Sequence, residues 1–273
     1  MRKVELISEQ NGKLSDLLER AGVRYNEIFK ALRNKDIKVN GARVKVNVDV
    51  HKDDKVEIFL PERKEALAKV VYQDDNILVV DKTVNQEVEG ENGLASQFSA
   101  LAVHRLDRNT TGLVLLAKNR DAQEALFECF KKKWITKKYL CQVYGQTDFK
   151  GETQKAFLVK DEKNSFVKIY DRPVKNSKQI ETIFKTLKND GDSSFVECEL
   201  LSGRTHQIRA HLAHLGHPII GDGKYGKNIV NEKFKEKYQK LHCFYLKINK
   251  ISPKYEYLSQ KEFFSNPKFY KII

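Results

Sequence analysis

The segment VHRLDRNTTGLVLLAK, residues 103–118, places a carboxylate, Asp107, between two arginines, Arg105 and Arg108. It forms a short polar stretch directly before a hydrophobic run, and loops held by a rigid sheet often carry reactive groups. Neighbouring cations favour the ionised form of a carboxylate, which suits a nucleophile. From spacing alone, a structural ion pair is the commoner explanation for such an aspartate.

A second polar segment, KKKWITKKY at 131–139, holds five lysines around Trp134 and ends at Tyr139. A solvated helix end would explain these lysines. A contact with the backbone of a nucleic acid would explain both the lysines and the aromatic rings.

Four histidines follow further along the chain, at His206, His211, His214 and His217. One helix cannot bring all four to one point, and no carboxylate or thiol cluster joins them, so the pattern argues against a metal site. It favours helix packing, hydrogen bonding and phosphate contact. A metal hydrolase built on these histidines stays as an alternative that would require bound metal.

The composition of the chain points to a polyanionic partner. Lys and Arg number 50 against 37 Asp and Glu, a formal net charge of +13 over 273 residues. Such an excess is typical of nucleic-acid binding, although solvated lysine-rich faces would also produce it. The four cysteines form no C-x-x-C pair, and no apolar run approaches the ~20 residues of a membrane span. We therefore expect a cytoplasmic protein without a membrane partner.

The elements that position these residues fall into two predicted domains. Residues 14–32 have the spacing of two short helices with a break at Gly22, and Asn40-Gly41 lies between alternating apolar residues, as in a hairpin. A strand at 56–60 completes a small domain, 1–62, and PERKEA at 61–66 resembles a linker.

The larger domain, 67–273, is predicted to be rich in strands. Helical spacing appears at 121–133 and at 204–216, where Gly216 is a natural stop, and 227–240 is a polar insertion or exposed helix. Strand-like runs occupy 76–82, 113–118, 139–145 and 195–201. Without regular β-α-β alternation, this order predicts an α+β fold with a large mixed or antiparallel sheet flanked by helices and loops.

Three segments in order resemble the motifs of the RluA-type family of RNA pseudouridine synthases. HRLDRNTTG at 104–112 is similar to the family's H-R-L-D-x-x-T-S-G motif. KKYLCQVYG at 137–145 is similar to its K-x-Y strand, and LLSGRTHQIRAHLAHLGHPIIGDGKYG at 200–226 to its long third motif. Residues 13–60 resemble the small RNA-binding domain shared with a small-subunit ribosomal protein and tyrosyl-tRNA synthetases.

The resemblance implies isomerisation of uridine to pseudouridine in structured RNA, with no metal or organic cofactor. It makes Asp107 the nucleophile, Tyr139 the ring that stacks on uracil, and Arg204 the arginine that pairs with the aspartate. Arg105 matches the arginine that fills the gap left by a flipped nucleotide. The side chains expected to contact RNA are His104, Arg105, Trp134, Lys137, Lys138, His206 and Arg209.

The chain also departs from the family pattern and leaves alternatives open. Thr83-Val84-Asn85 replaces a Pro-x-Gly turn, the segment from Asp81 to His104 is shorter than in most relatives, and Thr111 replaces a serine. The expected partner is ribosomal RNA, most simply of the large subunit, and no obligate protein partner is inferred. A transfer RNA target, and a non-catalytic RNA-binding or ribosome-assembly factor with the same fold, are the alternatives.

Overall fold

A computed structural model describes residues 2–23, 25–60, 68–161 and 166–270. The chain divides into two compact units, Met1–Glu65 and Ala66–Ile273, and each has a hydrophobic core of its own. The linker predicted at 61–66 lies outside the described residues. No helix in the described ranges is long and apolar enough to cross a membrane.

The N-terminal unit is a small α/β fold. Its elements are β1 Arg2–Ile7, β2 Gly12–Lys13, α1 Leu14–Arg20, α2 Tyr25–Asn34, β3 Ile37–Val39, β4 Ala42–Val44, β5 Asp49–Val50 and β6 Lys55–Leu60. Four strands form a sheet in the order β1-β6-β3-β4, and β2 pairs with β5. The predicted hairpin is confirmed, because β3 and β4 pair antiparallel and Asn40 and Gly41 both have positive φ, 50° and 82°.

The two helices of this unit form where the apolar spacing predicts them. Leu14 and Leu18 are one turn apart on α1 and are both buried, as are Ile28 and Leu32 on α2. Gly22, with φ of 77°, lies in the break between the helices. These side chains join apolar residues of β3, β5 and β6 in one core.

The larger unit carries the remaining elements. They are β7 Lys69–Gln73, β8 Ile77–Lys82, α3 Leu94–Gln97, β9 Leu101–Ala102, β10 Thr111–Ala117, α4 Arg120–Lys131, β11 Ile135–Tyr144, β12 Lys150–Asp161, β13 Phe166–Tyr170, β14 Lys178–Asp190, β15 Ser193–Leu200, α5 Gln207–His214, α6 Asn228–Lys233, β16 Leu241–Ile248, a 3₁₀ helix Pro253–Leu258 and β17 Glu262–Phe264.

An 11-stranded sheet is the framework of this unit. Its order is β13-β12-β14-β15-β11-β16-β10-β8-β7, with β17 on β16 and β9 on β10. The pairs are antiparallel except for β10 with β16, so the predicted α+β class with a large mixed sheet is confirmed. At the parallel pair, Gly112 (φ 102°) lies against Cys243, whose carbonyl oxygen would be 2.3 Å from any Cβ at this position.

Two predicted elements differ in extent. Helix α5 begins at Gln207 and not at residue 204, because His206 takes a left-handed backbone conformation (φ 54°, ψ 19°) that cannot continue a right-handed helix. The polar segment 227–240 holds a short helix, α6, of which Val230 is buried.

Candidate active site

Asp107 lies in the loop between β9 and β10, which pair antiparallel and hold both ends of the loop. A tight turn closes around it, since the backbone N–H of Thr110 donates to the carbonyl of Asp107 at 3.0 Å. The loop forms one wall of a cleft of about 930 Å³ in the larger unit. Ligand sites for small molecules fall in this size range, so a nucleoside fits.

Arg209, in the first turn of α5, binds the carboxylate of Asp107. Its Nη1 donates to Oδ2 at 2.7 Å, and its side chain is only 9% exposed. The other edge of the guanidinium binds Asp222, with Nε–Oδ2 at 2.7 Å and Nη2–Oδ1 at 2.9 Å. Because Asp222 is fully buried, this bidentate pair fixes the arginine, which in turn fixes Asp107.

The charges of Asp107, Arg209 and Asp222 compensate one another. Burial on its own would lower the pKa of Arg209, but hydrogen bonds and charge from Asp222, together with Asp107, raise it above its usual value. Burial likewise opposes ionisation of Asp222, yet hydrogen bonds from Arg209 and from the backbone of Tyr225 and Lys224 lower its pKa. Arg209 and Asp222 therefore both carry full charges at neutral pH.

The prediction that Arg204 pairs with the aspartate is wrong, because Arg209 takes this position. The predicted RNA contact of Arg209, which lines the cleft, stays a prediction. Arg204 precedes α5 and is exposed, with its backbone N–H bound to Oε1 of Gln207 at 3.1 Å. The guanidinium of Arg204 has no ion-pair partner among the described residues, although it lines the cleft. Arg209 is five residues further on, where the helix turns its side chain towards Asp107.

Tyr139 lines the cleft from β11 and is 4% exposed. Its neighbours on the adjacent strands are Cys243 on β16 and Cys198 on β15. Burial, followed by the effect of Cys243, raises the pKa of Tyr139 well above its usual value, so its hydroxyl stays protonated. Its position in the cleft fits the predicted role of stacking on a base, which stays a prediction.

His206 is the second basic side chain beside the carboxylate, and Tyr225 holds its ring. Nε2 of His206 lies 3.8 Å from Oδ1 of Asp107, and Nδ1 of His206 is hydrogen-bonded to the hydroxyl of Tyr225 at 2.9 Å. His206 lines the cleft, as its predicted RNA contact requires.

Lys82, at the end of β8, binds the backbone of the loop that carries Asp107. Its Nζ donates to the carbonyls of Thr83 and Arg108, each at 2.8 Å, and the residue is 1% exposed. Burial lowers the pKa of Lys82 to about 7, against the opposing charge of Asp107. The sequence analysis missed this residue, although the alternation of β8 places it on the same face as the buried Leu78 and Val80.

Two residues predicted to contact RNA, His104 and Lys138, have partners within the fold, and their RNA contacts stay predictions. Nε2 of His104 accepts the backbone N–H of Leu115 at 2.9 Å, and burial lowers the pKa of His104 well below its usual value. It therefore anchors the Asp107 loop to β10 as a neutral ring. Nζ of Lys138 already has ion pairs with Glu197 (3.2 Å) and Glu199 (3.8 Å).

The other predicted contacts differ in their access to the cleft. Arg105 lines it and is 73% exposed, beside Glu89 at 3.4 Å. Lys137 also lines it, but burial lowers its pKa and its Nζ lies 5.2 Å from the ring centre of Phe130. Trp134 is placed between the ammonium groups of Lys132 and Lys250, at 4.8 and 5.1 Å from its ring.

The four histidines have separate partners, which explains why they do not converge. His206 binds Tyr225, His211 binds Thr182, His214 binds Asp171, and His217 binds the carbonyl of Tyr144. Within the described ranges, no group of three or more His, Cys, Asp or Glu side chains could hold a metal ion.

The family match and the relatives found by comparison with known proteins indicate the same family. Residues 47–214 match the family described as RNA pseudouridylate synthase. The ribosomal large subunit pseudouridine synthase C of Salmonella typhi is 35% identical over 243 residues, which cover 79% of this chain and 76% of that protein. The same enzyme of Escherichia coli K12 is 35% identical over 233 residues, covering 75% and 72%.

Solved structures agree on the fold. Human RNA pseudouridylate synthase domain containing 1 aligns with a TM-score of 0.60 at 27% identity, covering 71% of this chain and 84% of that one. The matched range contains Asp107, Tyr139 and Arg209, the residues that meet in the cleft. Together with the predicted motifs, these matches show that the chain belongs to the RNA pseudouridylate synthase family.

Proposed function

We propose that this chain converts particular uridines of large-subunit ribosomal RNA to pseudouridine, with Asp107 as the group that starts the reaction. The choice of RNA is supported by the relatives of known name, which are large-subunit synthases at 35% identity over about three quarters of both chains. A transfer RNA target is the alternative within the same chemistry.

One observation carries the assignment of Asp107. Its Oδ2 is held by the buried Arg209, while its Oδ1 has no hydrogen bond among the described residues and its side chain is 24% exposed at the cleft. A carboxylate fixed through one oxygen presents the other in a defined direction, which is what attack on a sugar carbon requires.

The reaction needs only bond exchange within the nucleotide. The N1–C1′ bond breaks, the uracil turns, and C5 bonds to C1′; C5 then loses its hydrogen and N1 gains one, so no oxidant or reductant is consumed. Oδ1 can attack C1′ directly or assist the removal of a 2′ proton. The site supports both routes, because each requires an ionised carboxylate beside the sugar.

We assign roles to the other cleft residues according to whether their side chains are buried or exposed. Tyr139 presents a buried, protonated phenol against the uracil. Arg105 is exposed at the cleft and would occupy the space of the flipped nucleotide. Arg204, which has an unpaired guanidinium in the described part of the chain, and Lys131 and Lys133 would bind phosphates.

The N-terminal domain predicted over residues 1–62 would add affinity for RNA. Its support is the sequence resemblance and a separate core, which allows it to act as a module. Removing 1–62 should therefore weaken binding to long RNA while single-turnover conversion at saturating RNA stays near that of the full chain. Equal affinity with and without the unit would refute the role.

The experiment that tests the function is a transcriptome-wide pseudouridine map. Cells lacking the protein are complemented with the wild type, with Asp107→Asn, or with Asp121→Asn. Asp121 is a matched control, because it is an exposed aspartate paired with Lys254 and does not line the cleft. We expect sites in the large-subunit RNA that the wild type and Asp121→Asn restore and Asp107→Asn does not.

Each other outcome has a defined meaning. Restored sites in transfer RNA would move the target to that class. Restoration by Asp107→Asn would overturn the assignment of the nucleophile. No change at any site would favour an RNA-binding factor with the same fold.

A further inference from the structure

His206 is the one basic side chain besides Arg209 that lies within 4 Å of the Asp107 carboxylate in the described part of the chain. Each lies beside a different oxygen of the carboxylate. Arg209 donates a hydrogen bond to Oδ2, and Nε2 of His206 lies 3.8 Å from Oδ1. Oδ1 is the oxygen that the proposed function uses. His206 thus faces the reacting atoms.

We infer that His206 and Tyr225 are a positioning pair for Oδ1 of Asp107, in which Tyr225 fixes the imidazole so that its Nε2–H is directed at that oxygen. This inference rests on the proposed function, because it assigns Oδ1 as the oxygen to be positioned.

The backbone of His206 supports this role. Its φ of 54° and ψ of 19° are the left-handed conformation, which is costly for a residue with a Cβ and is concentrated at functional sites. The conformation sets the start of α5 at Gln207 and turns the imidazole away from the helix axis into the cleft. A side chain that only capped the helix would have no need to reach Asp107.

Tyr225 determines where the ring proton of His206 resides. The hydroxyl of Tyr225 accepts the backbone N–H of Val167 at 2.9 Å and bonds to Nδ1 of His206 at 2.9 Å. Burial raises the pKa of Tyr225 to about 12, so the hydroxyl keeps its proton. Because its oxygen already accepts from Val167, the O–H is available to donate a hydrogen bond to Nδ1. The ring proton is then on Nε2, which faces Asp107.

Tyr225 is itself held on two sides. Its ring is 4.5 Å from that of Phe166 on β13, and the guanidinium carbon of Arg209 lies 5.3 Å from its ring centre. A substitution Tyr225→Phe therefore keeps both ring contacts and removes only the hydroxyl.

Burial keeps His206 neutral, and the charges around it act in both directions. Burial is the largest effect and lowers its pKa below the usual value; Arg209 and Lys224 lower it as well, while Asp107 and Asp222 raise it. A neutral Nε2–H can orient Oδ1 without the tight ion pair that a charged imidazolium would form with it. Oδ1 of Asp107 thus stays available as the nucleophile.

Two amides at position 206 separate positioning from backbone structure. His206→Gln can place an amide N–H near the position of Nε2, whereas His206→Asn places it near Nδ1 but tolerates the left-handed backbone better. If the pair positions Oδ1, kcat falls about a hundredfold in His206→Asn and clearly less in His206→Gln, with unchanged affinity for RNA. Equal activity of the two amides, or wild-type activity of His206→Asn, would overturn the inference.

Two further measurements make the test independent of folding. In the full-length protein, NMR titration of His206 should give a lower pKa in Asp107→Asn than in the wild type, because the negative charge that supports the imidazolium is gone; an unmoved pKa contradicts the contact. Tyr225→Phe should reduce kcat much less in a His206→Gln background than in the wild type. An equal reduction in both backgrounds would show that Tyr225 does not act through His206.

The inference can fail without the proposed function. An active Asp107→Asn variant would remove both. An inactive Asp107→Asn beside a fully active His206→Asn would remove only the positioning role.

Discussion

The cleft has two sides that use the same kinds of residue in opposite ways. On the fixed side, defined here as Asp107, Tyr139 and Arg209, the arginine is 9% exposed and is bound by two carboxylates. On the open side, defined as Arg105, Lys131, Lys133 and Arg204, the cations are exposed, and Arg105 is 73% exposed.

The difference separates two tasks. A buried, fully paired arginine cannot exchange its partners for phosphates without leaving Asp222 uncompensated, so it serves orientation. Exposed cations contribute little to stability but attract a polyanion over a distance set by the salt concentration. Variants on the two sides should therefore fail in different assays.

The largest effect is expected for Arg209→Met. Loss of its donor to Oδ2 should reduce the rate of pseudouridine formation about a hundredfold to a thousandfold. Because Asp222 would remain buried without a counter-charge, the free energy of unfolding should also fall by about 3–5 kcal/mol. Single-turnover assays and urea denaturation measure the two quantities.

A double variant distinguishes these losses. Arg209→Met with Asp222→Asn removes both charges and keeps an acceptor for the backbone N–H groups of Lys224 and Tyr225. Stability should recover most of the loss while the rate stays low. Recovery of the rate together with stability would mean that Arg209 acts only through folding.

An intermediate effect is expected at Lys82, as a pH dependence of stability. Its pKa is about 7 in the folded protein and about 10.4 when unfolded, so between these values the unfolded chain binds one more proton. Folding stability should therefore rise with pH in this window, and by about 2–3 kcal/mol from pH 7.5 to 9.5. Below pH 7, where both states are protonated, this contribution is constant.

Urea denaturation across this range tests the linkage. Lys82→Met should lose this part of the rise, whereas Lys254→Met, which removes an exposed lysine, should keep it. Parallel curves for Lys82→Met and the wild type would show that Lys82 is not buried as a near-neutral amine.

The smallest effect is expected on the open side, for Arg204→Met. RNA affinity should fall several-fold, and the slope of log K against log salt should decrease by about 1, because one phosphate contact is lost. The rate at saturating RNA should equal that of the wild type. A large fall in that rate would return Arg204 to the catalytic role that the motif match implies.

The sequence predicts many of the strands and helices but not the polar contacts between them. Apolar patterns identify β8, β10, β15 and α4, because β8 and β10 are continuous apolar runs, β15 alternates and α4 has helical spacing. They miss β12, β13 and β14, where Lys150–Asp161 and Lys178–Asp190 interleave many charged residues with few buried ones. The pairing of these long strands with each other and with β15 defines them better than their own composition.

The candidate site shows the same limit. Asp107, Tyr139 and His206 follow from the motif, but spacing cannot tell which arginine of the third motif reaches the aspartate. That choice depends on the left-handed backbone of His206, which delays the start of α5 and aims Arg209, not Arg204, at Asp107. The roles of Asp222 and Tyr225 could not be predicted, because they depend on how the chain after α5 packs against Arg209 and His206.

The position of β16 has a consequence for biosynthesis. This strand, Leu241–Ile248, is made after both of its neighbours but lies in the middle of the sheet, between β10 and β11. Until it emerges from the ribosome, both neighbours lack the partner on their facing edges, and such long-range pairing is slow. The sheet that carries the cleft should thus be complete only after β16 has been made, and this late-forming strand is where a chaperone would be needed most.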